Sequence, residues 1–164
     1  MPKRILIPIT PGAPADCAPA ALSSARIART SGGMVRLVYI SPLPPPRTDG
    51  QDRIVADTDR EMARITDAAL DRLTALASGM EGVPVESVVR FGRLRAELAV
   101  EAEVFDADLV ALAAPTGSRL VDRFRAWRLQ RAALATKAPV VLLPLPSTDA
   151  AVGSGGTLAL PALR

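Results

Sequence analysis

The sequence predicts an α/β protein: an open five-stranded parallel sheet, doubly wound, with helices on both faces. Three observations predict it. Segments of strand and helix character alternate as β-α-β-α-β-α-β-α-β, the order of parallel strands joined by right-handed crossovers. The first, fourth and fifth strand segments are nearly continuous apolar runs, as expected when helices cover both sides of a sheet. The chain has 164 residues, 49% apolar and 23% charged, which suits one globular domain. Aromatic residues are only 3%, so Ala, Val, Leu and Ile must fill the core.

RILIPI, residues 4–9, reads as the first buried strand, with Pro8 tolerable only where the strand is ending. TPGAPAD follows as a turn-rich loop, and Asp16 is a candidate N-cap. Ala18, Leu22, Ala25 and Ala28 fall at helical spacing, and Ser31-Gly32-Gly33 stops that helix. MVRLVYI, residues 34–40, is the second strand. The proline-rich stretch SPLPPPRTDGQD predicts an exposed irregular loop.

A long helix is predicted over 55–79, with one apolar stripe of Met62, Ile65, Ala69, Leu73 and Leu76. Gly82 and Pro84 separate it from a third strand, Val85 to Phe91. Leu94, Leu98, Ala102 and Phe105 space a third helix after the turn at Gly92. Glu97, Glu101 and Glu103 on that helix have no motif around them and read as solvated surface. Residues 108–113 are the fourth strand, 118–136 the fourth helix and 139–143 the fifth strand. On the fourth helix one face, drawn from Leu120, Val121, Phe124, Trp127 and Leu129, should pack on the sheet. Arg119, Arg123, Arg125, Arg128 and Arg131 should lie outward or toward a partner. The domain is expected to span 1–144, and the small-residue-rich stretch 145–164 reads as a disordered tail.

Composition also excludes chemistry. There is no histidine, which removes Ser-His and Cys-His catalysis and the commonest transition-metal ligand. Cys17 is the single cysteine; without a partner for an internal disulfide it fits a reducing cytoplasm and reads as a small packed residue. No apolar run approaches the length of a membrane span, and Pro8 breaks the short apolar start. Only Lys3 and Lys137 are lysines among the 20 basic residues, and the net charge is +3. The basic side chains are scattered without interleaved aromatics, which predicts a solvated surface and no nucleic-acid partner. A cytoplasmic protein with no metal and no membrane contact is expected.

Ligands of such sheets sit beyond the carboxyl ends of the strands, which points to the loops after Ile9, Ile40 and Ala113. KRILIPIT, VRLVYIS, GRLRAELAVEAEVFDADLVAL and APVVLLP together resemble the universal stress protein family, from about Lys3 to Pro144 and without a gap from Leu109 to Pro139. The resemblance implies an adenine nucleotide alpha hydrolase-like fold and a homodimer through the last strand, Val140–Leu143. It also implies a stress-response role without a defined turnover reaction.

Many members of that family bind ATP or AMP with Gly, two residues, Gly, nine residues, then Gly and Ser or Thr. Glycines let backbone approach phosphates closely, and N–H groups at a helix start cradle them. Aligned without gaps, those positions are Ala113, Thr116, Ala126 and Trp127, and the family's aspartate closing the first strand is Thr10. Every position departs from the pattern, and the indole at 127 would occupy space that phosphate needs. Thr116-Gly117-Ser118 reads as a turn and N-cap, with a small anion nest as the alternative. TPGAPAD also lacks the serine-glycine-glycine grip of the related ATP pyrophosphatases.

The expectation is therefore a non-enzymatic regulator with no cofactor, acting as a homodimer through protein contacts, with a possible protein partner at the arginine-rich helix 118–136. The alternative is a nucleotide-binding regulator with an altered pocket, holding ATP, AMP or a related ligand above Thr10, Ile40 and Thr116.

Overall fold

The structure, a computed structural model, describes residues 1–12, 17–48, 51, 54–113 and 120–143. The expected Asp16 cap, the Thr116-Gly117-Ser118 turn, Arg119 and the tail beyond Leu143 lie outside the described residues.

The first unit runs β1 (Arg4–Ile9), α1 (Cys17–Ser31), β2 (Met34–Ser41). A short ribbon follows, β3 (Arg47–Thr48) and β4 (Ile54–Ala56), and then α2 (Thr58–Ala77) and β5 (Val85–Phe91). The chain continues through α3 (Leu94–Val104), β6 (Leu109–Ala113), α4 (Leu120–Ala133) and β7 (Val140–Leu143). Five strands form one parallel sheet in the order β5-β2-β1-β6-β7. The chain winds outward from β1 to one edge and then returns to build the other half.

Pro8 sits in the central strand. β1 pairs with β2 along its whole length, Arg4↔Met34 to Ile9↔Tyr39. Its ladder with β6 covers only Ile5↔Leu109 and Leu6↔Val110. The proline's missing N–H therefore falls where β6 no longer pairs, so the strand tolerates it. The start of β1 is held by Asp108, whose Oδ2 accepts from the backbone N–H of Lys3 at 2.8 Å and of Arg4 at 3.0 Å.

α1 ends as its glycines require. Gly32 has φ +62°, and the Gly33 N–H donates to Ala28 O at 2.8 Å. A Cβ at Gly33 would strike the Lys3 backbone, so glycine is also what lets β2 enter beside β1. α2 starts three residues later than the apolar stripe suggests. Asp57 accepts from the Arg60 N–H at 2.9 Å and caps the helix, and the residues just before it belong to β4. The proline-rich stretch that reads as irregular thus leads into a short antiparallel β3–β4 pair.

Each sheet face has its own core. Ile5, Ile7, Ile9, Val35 and Leu37 face α1 and α2, where Ala21, Ala25, Ala28, Ala69 and Leu73 meet them. Leu6, Val38, Ile40, Val110 and Leu112 face α3 and α4, where Leu98, Ala102, Phe105, Ala132 and Ala133 meet them. The alanines on α1 let that helix lie close to the strands.

Two expectations about the second face are corrected. Glu101 is not solvated: it is 0% exposed. It stands within the buried stripe Leu98, Glu101, Ala102, Phe105, at helical spacing, and its charge is met from below. Arg36 of β2 donates to its Oε1 at 2.6 Å, and Arg90 of β5 donates to its Oε2 at 2.7 Å. Arg36 also bonds Glu86 and lies over the Phe105 ring, 4.3 Å from its centroid. Nor do Phe124 and Trp127 pack on the sheet. Leu120, Val121, Phe124 and Trp127 are 80%, 58%, 57% and 50% exposed. Ala132 and Ala133, with Leu129 packed against the same cluster, take the inward positions because small side chains allow α4 to seat beside α3.

Candidate functional site

An open cleft of about 740 Å³ lies at the carboxyl ends of β1, β2 and β5, on the α3/α4 side of the sheet. Its floor is Thr10 and Pro11 after β1, with Ile40 and Pro42 at the end of β2. One wall is the turn from β5 into α3: Gly92, Arg93, Leu94 and Arg95. The other is α4, through Arg125, Trp127, Arg128, Arg131 and Ala132.

Local structure explains why these groups meet. Gly92 has φ +153°, and its N–H donates to Ser41 O at 2.9 Å, which ties the β5 exit to the β2 exit. A Cβ there would come within 2.5 Å of Glu97 Oε1, so the turn needs glycine. On the opposite side Arg125 reaches back to the loop after β1, where its Nη1 donates to Gly12 O at 3.1 Å. Gly12 is left-handed at φ +71°, and a Cβ there would lie 3.2 Å from the guanidinium carbon. Arg131 stacks on Trp127, 5.4 Å from the ring centroid. Trp127 in turn stacks with Phe124, centroids 5.8 Å apart.

The cleft is electrostatically one-sided. Five arginines line it, and no lining residue among the described residues is acidic. The Arg93, Arg95 and Arg128 side chains make no hydrogen bond or ion pair among the described residues. Three arginines elsewhere are matched with acids: Arg36 and Arg90 with Glu101, and Arg64 with Glu61. Hydrogen bonds to Glu61 raise the Arg64 pKa. For Arg36 burial opposes the charge, yet the bonds from Glu86 and Glu101 outweigh it and the pKa rises. Among the described residues the lining has an anion's counter-charge but no carboxylate, thiol or imidazole to move a proton.

Of the residues expected from sequence, the structure brings Thr10, Ile40 and Trp127 to this cleft. Ala113, Ala126 and again Trp127 line a smaller hollow of about 130 Å³ beside Leu142 of β7. The indole thus stands between the two spaces. Thr116, Gly117 and Ser118 are outside the described residues. Sequence reasoning missed Gly92, Arg93 and Arg95. The signal was there, since the carboxyl-end rule applies equally to the loop after Phe91. Among the described residues no group of three or more His, Cys, Asp or Glu is placed to hold a metal, and no helix is long and apolar enough to cross a membrane.

A doubly wound sheet with central β1 and a cleft over its strand exits defines a Rossmann-like α/β protein. A universal stress protein family model matches residues 1–144, and the chain belongs to that family. A search of curated proteins finds no match. Solved structures share the fold. The hypothetical protein MJ0577 is 16% identical with a TM-score of 0.64, covering 89% of this chain and 98% of that one. A universal stress protein in complex with cAMP is 12% identical with a TM-score of 0.57, covering 87% and 96%. The universal stress protein from Archaeoglobus fulgidus in complex with dAMP is 15% identical with a TM-score of 0.55, covering 85% and 95%.

Proposed function

We infer that this universal stress protein is a non-enzymatic regulator in stress response that does not hold ATP in the family manner and acts as a cytoplasmic homodimer. The observation that carries this reading is Trp127. A triphosphate needs room beside exposed backbone, and an indole stands midway along the α4 wall of the cleft. The described lining is arginine-rich and otherwise mostly apolar, which supports a binding role. Strand β7 supports the dimer, since it is the sheet edge beside β6 and its Leu142 is 45% exposed. The exposed face of α4, with Phe124 and Trp127 among arginines, is a second surface for protein contact.

The test is calorimetry of the purified protein with ATP, ADP and AMP. No heat of binding for ATP at tens of micromolar agrees with the reading, and a micromolar dissociation constant removes it.

One observation favours the altered-pocket reading as a second possibility. The cleft above Thr10 and Ile40 lies within the roughly 300–1,000 Å³ typical of small-ligand sites and is lined by five arginines. Relatives of the same fold were solved with cAMP and dAMP. Native mass spectrometry of freshly purified protein tests it by catching a co-purified nucleotide.

A further inference from the structure

We propose that the cleft binds a nucleotide carrying phosphoryl groups at two separate points, a nucleoside bisphosphate, in preference to a mononucleotide or a triphosphate. The proposal rests on the altered-pocket reading and names its ligand class.

The placement of charge decides the class. Arg93 and Arg95 come from the start of α3, and Arg128 and Arg131 come from α4, so the cationic groups arise on two elements that face one space. A triphosphate concentrates its charge at one end and needs one dense cradle of backbone N–H groups. Among the described residues the cations are guanidiniums divided between two walls, with an indole on the α4 side. A ligand with two phosphoryl groups satisfies both arginine sets at once. A mononucleotide satisfies one and leaves the other without a counter-ion.

Part of the lining is held before ligand arrives. The Gly92 N–H bond to Ser41 O anchors the turn that presents Arg93. Trp127 holds the Arg131 guanidinium by stacking, and Arg125 is tied to Gly12 O. Arg131 and Arg125, held in this way, lose less side-chain freedom on binding than the Arg93, Arg95 and Arg128 side chains. Between the charged walls the floor of Thr10, Pro11, Ile40 and Pro42 is apolar with a single hydroxyl, a surface for the flat face of a base or the ribose. Glu97 packs against the Gly92 turn but is not part of the lining and makes no ion pair with Arg93 among the described residues.

The experiment is calorimetry at fixed ionic strength with adenosine 3′,5′-bisphosphate, AMP and ATP, on the wild type and on the double variants R93A/R95A and R128A/R131A. The bisphosphate should bind wild type at least tenfold more tightly than AMP or ATP. Each double variant should lose about tenfold or more for the bisphosphate, and R93A/R95A should bring it level with AMP. All four arginines are exposed, so circular dichroism should show both variants folded. Equal affinity of bisphosphate and AMP, or no loss in R93A/R95A, overturns the proposal while leaving the altered-pocket reading in place. Absence of binding by all three ligands overturns both.

Discussion

The Glu101 carboxylate, sealed beneath α3, accepts a hydrogen bond from Arg36 of β2 at 2.6 Å. Its other oxygen takes Arg90 of β5. One acid thereby links a helix to two neighbouring strands of the sheet, directly behind the β5 exit that presents Arg93. Removing the acid leaves two guanidiniums facing each other. Breaking a buried pair costs about 3–5 kcal/mol, and the lower end applies because the Arg36 and Arg90 side chains keep 17% and 34% of their exposure. Glu101→Ala should therefore lose about 3 kcal/mol in urea unfolding, and Glu101→Gln less. A loss under about 1 kcal/mol for the alanine variant would show that the network is not what joins α3 to the sheet.

Asp108 gives a pH signature. Backbone hydrogen bonds from Lys3 and then Arg4 hold its carboxyl below the ordinary value, against a smaller opposing effect of burial. A depressed folded-state pKa contributes stability that is present above the unfolded value, about 3.9, and is lost as pH falls through the folded value. The wild type should thus lose more of its urea midpoint between about pH 6 and about pH 3 than Asp108→Asn does. Parallel curves for the two proteins would count against the assignment.

Moving three positions toward the family's nucleotide pattern should raise the affinity for ATP. Thr10→Asp, Ala126→Gly and Trp127→Ser combined return a carboxylate at the β1 exit and bare backbone on α4. ATP affinity measured by calorimetry should rise by at least about tenfold, which is about 1.4 kcal/mol. An unchanged null titration in a folded triple variant would show that bulk at position 127 is not what excludes the triphosphate.

Strand β7 supplies the oligomer test. Leu142 is exposed in the single chain, so Leu142→Asp should leave the fold intact while placing like charges opposite each other across a two-fold axis. Light scattering behind size exclusion should show a dimer for the wild type and a monomer for the variant at the same concentration. A variant that stays dimeric would move the interface elsewhere, with the Phe124–Trp127 face of α4 the first candidate.

The order of elements and most of their bounds were legible because hydrophobic period is local. β1 and β5 run over the residues their apolar patterns mark, and the glycines after Ser31 end α1 where expected. The start of α2 was less legible because Asp57, three residues inside the expected helix, outcompetes the preceding residues as a cap. Within the site, Thr10 and Ile40 were found by the carboxyl-end rule and Trp127 by its register in the family pattern. Arg93 and Arg95 were not, since a turn arginine looks like any other surface charge until a second wall is known.

The sequence alone determined the alternation of strands and helices and the family. Those are properties of short stretches and of position along one chain. Only the tertiary structure decided that α4 turns its alanines inward and its aromatics outward, that Glu101 lies under α3, and that arginines from α3 and α4 face one cleft. Period places residues on a common helix face, but what that face meets depends on strands and helices distant in sequence, and burial of charge is settled by those partners.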